Sequence, residues 1–322
     1  MIAAIGALTK NHHEYIAHPF LISAMCKSEN ADEHMNLLSL VWRACNQKEA
    51  MKGKIYCLAS NGESRHGKAL AALTECTLLS PTFPLFAYLG NLPLLNWMVG
   101  EDEITSDKDY KHVMKWLWHV HLRPSGTLIS RVQITPSVLW SHLEVNKYSM
   151  SHINNLMNVT DKQDITTMLN LMQLIWSLPP PLTTDKPTHQ KACTALNQHL
   201  KVLWYIILPY INVSMSLYDQ LKSLSAAAHL MYIFFTYHNA HSAFLPSPLY
   251  HDIQIMVKNA FFCITKAKQD NPDGKFFLNL LGTDHLESIF GIVRSQNGSD
   301  VVTTSSPRYK EGGLRSQTWP SC

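Results

Sequence analysis

The sequence lacks the residue spacings that mark several common kinds of functional site. It contains no Cys-x-x-Cys pair, no HxxxH or HExxH pattern and no GxxxxGK-S/T loop, so zinc sites and P-loop nucleotide sites are not expected. Its seven cysteines are odd in number and widely spaced. That usage is typical of reduced thiols buried as small apolar side chains in an intracellular protein.

Long apolar runs are missing as well. The most apolar stretch, residues 202–213, contains Pro209 and is shorter than the roughly 20 residues of a membrane span. The N-terminal apolar run is too short for a secretory signal. With 46% hydrophobic and 16% charged residues, we expect a soluble protein with a sizeable core and no membrane partner. The net charge of +3 permits a polyanion partner without requiring one.

The first third of the chain predicts alternating strands and helices. Residues 20–26 and 54–60 are short apolar runs compatible with strands, and residues 32–46 between them carry helical spacing. An Ala- and Leu-rich segment, residues 68–79, favours a further helix. The next helix is expected to begin near Ser106 or Asp107 and to end at His121.

From about residue 134 the pattern changes to successive amphipathic helices. Apolar residues recur every three to four positions, which is typical of packed helices. Residues 274–284 then predict a last strand and turn, followed by a helix over residues 285–294. The predicted helices of the middle region cover 136–144, 151–157, 161–178, 189–211, 217–237 and 249–268.

The order of these elements predicts an α/β plus α fold class. We expect a partial α/β core over 1–125, a large all-helical insertion over 126–272, and a strand and helix over 273–297 that return to the core. Residues 298–322 are rich in Ser, Thr, Gly and Pro and have no apolar period, so we expect a disordered tail.

One candidate site lies at the start of the helix near residue 109. Asp109, His112 and Lys115 follow one another at three-residue spacing, so an acid, an imidazole and an ammonium share one helix face and can converge on a ligand. The alternative is a capped, solvated helix with its tryptophans in the core. The residues alone favour this structural alternative.

Two further candidates lie at strand-to-helix junctions. Asp284 and Glu287 are three residues apart at a predicted helix start, where carboxylates bind a divalent cation or simply favour the helix dipole. Asn61 directly follows the strand of residues 54–60, at the end of a strand where α/β sheets place ligands. Its amide cannot supply the negative charge of a metal ligand.

Three segments, in this order, resemble the P-element-type DNA transposases found as transposon relatives in fungal genomes. The family has a strand ending in Asp-Gly, a D-x-x-H-x-x-K helix and a D-x-L-E-x-x-F-G-x-x-R helix. The corresponding segments here are LASNGES at 58–64, DYKHVMK at 109–115 and DHLESIFGIVR at 284–294. The last is the most specific of the three.

The resemblance implies an RNase H-like nuclease core interrupted by a helical insertion that binds a guanine nucleotide. Glu287 is then the last catalytic carboxylate and a ligand to Mg²⁺. Lys115 and Asp284 are expected to contact GTP, together with His112 and Asp109. The resemblance also implies DNA as the partner, a nuclear location and a possible homo-oligomer.

The sequence departs from the family pattern at several points. Asn61 stands where the family has the second catalytic Asp, and Trp118 and His119 stand where it carries Arg-Asn. The chain is expected to be truncated, lacking the first strands and the first catalytic Asp. We therefore expect a transposon-derived protein that resembles a Mg²⁺-dependent transposase but is catalytically inactive. The alternative is a helical binding or scaffold module that engages protein or nucleic acid.

Overall fold

The computed structural model describes most of the chain. It covers residues 2–13, 17–22, 30–46, 53–60, 64–157, 165–237 and 241–283, together with positions 286 and 289. The helix expected over 285–294 and the disordered tail expected over 298–322 fall outside the described residues, apart from those two positions.

The described strands form four two-stranded sheets. Three of these pairs are antiparallel, β1 with β2, β4 with β5 and β7 with β8, whereas β3 pairs with β6 in parallel. The strands are β1 (Ile2–Gly6), β2 (Ala17–Ile22), β3 (Cys57–Ser60), β4 (Thr77–Leu78), β5 (Met98–Val99), β6 (Thr105–Lys108), β7 (Thr127–Ile129) and β8 (Val132–Ile134).

The described helices account for most of the remaining chain. Within the described part, no helix combines the length and apolarity that a bilayer span needs. The helices are α1 (Ala31–Cys45), α2 (Ser64–Thr74), α3 (Phe86–Leu89), α4 (Tyr110–Leu122), α5 (Pro136–Val145), α6 (Met150–Met157), α7 (Ile165–Trp176), α8 (Pro187–Ile211), α9 (Leu217–Thr236), α10 (His241–Phe244) and α11 (Ser247–Asp270).

The expected helix series of the middle region is confirmed, and local signals explain several helix starts. Asn30 caps α1 through a capping box with Glu33, and the Ser216 hydroxyl accepts the backbone N–H of Asp219 at the start of α9. Proline stands in the first turn of α5 and of α8, where its missing N–H costs nothing.

Three expected elements differ from the structure. The helix expected over residues 68–79 is α2, which spans Ser64–Thr74, and Thr77–Leu78 form β4. The helix expected from Ser106 or Asp107 begins instead at Tyr110, because residues 105–108 are a fully buried strand, β6. The strand expected within residues 274–284 is a 3-10 helix at Leu278–Leu280. The segment is apolar because Phe276, Leu278 and Leu281 are buried in the core beside the helices.

Proline at position 209 interrupts the hydrogen bonding of α8. Pro209 has no N–H, so the carbonyl of Tyr205 loses its usual donor one turn later. The Ser223 hydroxyl of α9 donates to that carbonyl at 3.1 Å. The Gln220 side-chain amide, also on α9, donates to the carbonyl of Pro209 at 3.0 Å. The neighbouring helix therefore supplies the donors that α8 lacks.

The core runs continuously from α4 through α11 and the 3-10 helix. A smaller apolar cluster beneath α3 is completed by Phe262 of α11. Helix α11 also packs along the parallel strands through polar contacts. The Thr105 hydroxyl donates to Asn259 Oδ1 at 2.7 Å, and Lys108 Nζ lies 3.1 Å from Asp252 Oδ1. The parallel pair is thus held by a helix from the far end of the described chain.

Lys266 is the most deeply buried cation of this packing. Its ammonium donates to the carbonyls of Tyr56 at 2.8 Å and Glu103 at 2.6 Å, and the side chain is fully buried. Burial lowers its pKa, since desolvation disfavours the charged form. The two carbonyls compensate by accepting hydrogen bonds from that form.

We expect Lys266→Met to lower the free energy of unfolding by about 2 to 4 kcal/mol, because two buried carbonyls lose their donor. Chemical denaturation measures this change. Lys268→Met, at an exposed position on the same helix, is the matched control and should change stability by less than about 0.5 kcal/mol. Equal effects of the two substitutions would show that the buried contacts contribute nothing.

Candidate functional site

The parallel strand pair brings two of the sequence motifs to one edge. β3 and β6 run in register, with Cys57 opposite Thr105 and Ser60 opposite Lys108. The last residue before Asn61 therefore lies beside the last residue before Asp109. The carboxyl ends of parallel strands are where α/β sheets place ligand-binding side chains.

The residues just before the third motif are joined to this edge through Asp109. The backbone N–H and the hydroxyl of Thr283 both donate to Asp109 Oδ2, at 2.8 and 3.0 Å. Gly282, with φ of +94°, approaches so closely that a Cβ there would lie 3.1 Å from the same oxygen. The segment leading to Asp284 is thereby fixed at the start of α4.

Asp109 is a helix cap with both oxygens engaged. Its Oδ1 accepts the backbone N–H of His112 at 3.0 Å, and the His112 ring Nδ1 lies 3.3 Å from the same oxygen. Burial alone would raise its pKa, but the His112 ring and the N–H groups of His112 and Thr283 outweigh burial and lower the pKa to about 2. The carboxylate is a buried anion, held by donors from two elements.

Of the other members of the α4 motif, only His112 lies next to Asp109. His112 lies beside it with 28% of its side chain exposed, whereas Lys115 lies a further turn along α4 and is half-buried. Trp118 is in the core, while Trp116 is 59% exposed. The structural alternative, a capped helix, thus describes Asp109, although only one of the two tryptophans is buried.

Asp107 is a buried acid that the sequence interpretation placed in a helix. It lies on β6 opposite Ala59 and is almost fully buried. Burial raises its pKa well above the usual value, and the charges of Cys57 and Asp109 add to this rise. The nearby Tyr210 hydroxyl is buried and has no hydrogen-bond partner within the described part of the chain. In the sequence, the only signal at Asp107 is the polar run SDKD at residues 106–109, which lacks the apolar spacing of a buried helix face.

A cleft of about 540 Å³ opens beside this edge. It is lined by β3, by Leu281, Gly282 and Thr283, and by residues of β1 and α1. Most of the lining is apolar, and Ser60 and His66 are among its few polar groups.

The described carboxylates at this edge do not suit Mg²⁺. A magnesium ion needs several accessible oxygen ligands, yet Asp109 is saturated by donors and Asp107 is sealed in the interior with a raised pKa. Asn61, Asp284 and Glu287 lie outside the described residues, so their expected roles toward Mg²⁺ and GTP stay predictions.

The described fold is that of a mixed α/β protein with a large helical part, in which the start of α4 and Thr283 meet at the end of a parallel strand pair. The chain is similar in structure to the Drosophila P element transposase strand transfer complex, with a TM-score of 0.52 and 16% sequence identity. The likeness covers 84% of this chain and 60% of that chain. No protein-family model and no curated protein matches the sequence.

This likeness shows a fold similar to that of a transposase, which is compatible with the expectation from the sequence motifs. At 16% identity it shows the fold alone, and the chain spans about 60% of that protein's length. The RNase H-like core, the helical insertion and their boundaries stay predictions.

We expect Asp109→Ala to lower the free energy of unfolding by about 2 to 3 kcal/mol near pH 7, because α4 loses its cap and Thr283 its acceptor. The pKa of Asp109 is depressed from 3.8 to about 2, so its contribution is complete above the unfolded value and is lost as the pH falls toward 2. The difference in the free energy of unfolding between the unmodified chain and Asp109→Ala should therefore become smaller at acidic pH.

Urea denaturation at several pH values measures this difference. Asp273→Ala, at an exposed aspartate, is the control and should leave stability nearly unchanged. A pH-independent difference between Asp109→Ala and the unmodified chain would contradict a buried anion at this position.

Proposed function

We propose that the chain is a transposase-like protein of the P-element type that binds DNA without cutting it. The observation that carries the proposal is the structural likeness over 84% of the chain. The arrangement of the described residues that flank the motifs supports it, since β3 adjoins β6 and Thr283 donates to Asp109.

The absence of DNA cleavage follows from the ligands at this edge. Asn61 stands where the family pattern has Asp, and a neutral amide does not replace the charge that such a carboxylate gives to a divalent cation. Asp109 cannot substitute, because Thr283 and His112 occupy its oxygens. Glu287 alone does not hold a metal pair for phosphodiester chemistry.

We expect the purified chain to nick supercoiled DNA, with Mg²⁺ or Mn²⁺, no faster than its Glu287→Ala variant. Gel analysis of nicked plasmid over several hours measures this, and the variant reports the background from contaminating nucleases. Nicking by the unmodified chain that disappears in Glu287→Ala would overturn the proposal of inactivity.

A retained GTP site is a second part of this proposal. The Thr283 contacts to Asp109 hold the segment leading to Asp284 against α4, the helix that carries Lys115. An ammonium suits the phosphates, and a carboxylate suits the base or ribose. His112 lies beside Asp109 on the first turn of α4 and is partly exposed.

We expect GTP with Mg²⁺ to raise the melting temperature of the chain, because a ligand that binds only the folded state stabilises it. Lys115→Ala and Asp284→Ala should each abolish the rise. Lys201→Ala, at an exposed lysine of α8, should retain it. An unchanged melting temperature at millimolar GTP, or a rise that survives both site variants, would remove GTP from the proposal.

A binding module without nucleotide or catalysis is the alternative function. Large aromatic side chains on the described surface favour it, among them Trp116, Tyr218 and Tyr237, since exposed aromatics are enriched at interfaces. A cooperatively folded chain that neither nicks DNA nor responds to GTP, and that shows no salt-dependent DNA binding, would support this function instead.

A further inference from the structure

Two helices of the helical part meet at a cluster of two histidines and a cysteine. His142 lies on α5, and His189 and Cys193 lie on α8. The ligand atoms of these three side chains all lie within 4.8 Å of one another. We propose that they bind a divalent transition metal, Zn²⁺ above all, which fastens α5 to α8.

The α8 side of the cluster has the spacing of a chelating pair. His189 and Cys193 are four residues apart, so both project from one face of the helix. The distance between His189 Nε2 and Cys193 Sγ is 3.5 Å. A tetrahedral zinc ion with ordinary Zn–N and Zn–S bonds sets such a pair about 3.6 Å apart.

The α5 side presents an oriented imidazole. His142 Nδ1 donates to the carbonyl of Val138 at 2.7 Å, which places the free lone pair on Nε2. Metal-bound histidines are held in this manner by a backbone carbonyl. The side chain is only 3% exposed, and its Nε2 has no hydrogen-bond partner among the described residues.

If the cluster is held by hydrogen bonds alone, Nε2 of His142 has no hydrogen-bond donor among the described residues. The Cys193 thiol and the His189 ring form one pair, and the His142 ring stacks on His189 at 4.5 Å between centroids with an angle of 15°. A buried acceptor without a donor costs about 1 to 3 kcal/mol. A metal ion bound here gives all three ligand atoms a partner once the two stacked rings turn their nitrogen lone pairs toward it.

The ligand set selects the class of metal. Two imidazoles and a thiolate suit zinc and other late first-row metals, whereas Mg²⁺ and Ca²⁺ prefer oxygen ligands. When the metal binds, the Cys193 thiol releases its proton to solvent and the sulfur donates its electron pair to the ion. His189 is only partly buried, so a water molecule can reach the fourth position of the tetrahedron.

This site uses none of the residues at the strand edge, so its test is independent of the proposed function. The purified full-length chain, freed of metal by a chelator, is titrated with Co²⁺ as a spectroscopic probe for Zn²⁺. We expect saturable binding of one ion per chain, with visible ligand-field bands of tetrahedral cobalt and a thiolate-to-cobalt charge-transfer band. Added Zn²⁺ should bleach both.

Matched variants assign the ligands. Cys193→Ser should abolish the charge-transfer band, whereas Cys76→Ser, at an exposed cysteine outside the cluster, should leave it intact. His142→Ala and His189→Ala should each weaken cobalt binding at least tenfold, while His152→Ala, at an exposed histidine, should not. Because His189 is only partly buried, we expect His189→Ala to fold normally. Circular dichroism checks this.

Three outcomes would overturn the proposal. They are the absence of saturable cobalt binding to the folded chain, a charge-transfer band that persists in Cys193→Ser, and unchanged affinity in a folded His189→Ala protein. An increase of the melting temperature with Zn²⁺ that is lost in His189→Ala supports the fastening of α5 to α8.

Discussion

The arrangement of the strand edge depends on one buried anion, the carboxylate of Asp109. It closes the first turn of α4 and at the same time holds Thr283, a residue 174 positions away in the chain. A charged acceptor in a dry environment makes strong hydrogen bonds, and its low pKa measures the strength of that stabilisation. The position of the segment that leads to the last motif therefore follows from the cap of α4.

This role has a chemical cost. A carboxylate whose oxygens are filled by backbone and hydroxyl donors is not available as a metal ligand or as a base. Asp107, its neighbour on β6, is excluded for the opposite reason, because burial favours its neutral form. The edge has the geometry of an α/β ligand site, but its described acids serve the fold.

The parallel pair itself is too small to be stable alone. Helix α11 stabilises it with three kinds of contact: the Thr105–Asn259 hydrogen bond, the Lys108–Asp252 ion pair and the carbonyl contacts of Lys266. Contacts of α11 thus join the helical part to the α/β part.

Periodicity predicted the helices of the middle region well, since each buries an apolar stripe. The same reasoning failed at β6, because Thr105 and its three successors are polar and are buried by partners some 150 residues away in α11. It failed again at residues 274–284, where a short apolar run forms a 3-10 helix packed beside the helices. Asp109 was found from its motif, whereas Asp107 and the H-x-x-x-C spacing of α8 were missed, since their meaning depends on tertiary neighbours.

Pro209 also restricts how α8 and α9 can pair. The Tyr205 and Pro209 carbonyls take their donors from Ser223 and Gln220, three residues apart on α9. A slip of α9 by one turn along α8 would move both donors by about 5.4 Å and leave both carbonyls bare. The proline that weakens α8 internally therefore selects a single axial alignment of α8 and α9. Apolar packing between two leucine-rich helices alone would distinguish less strongly between alternative alignments.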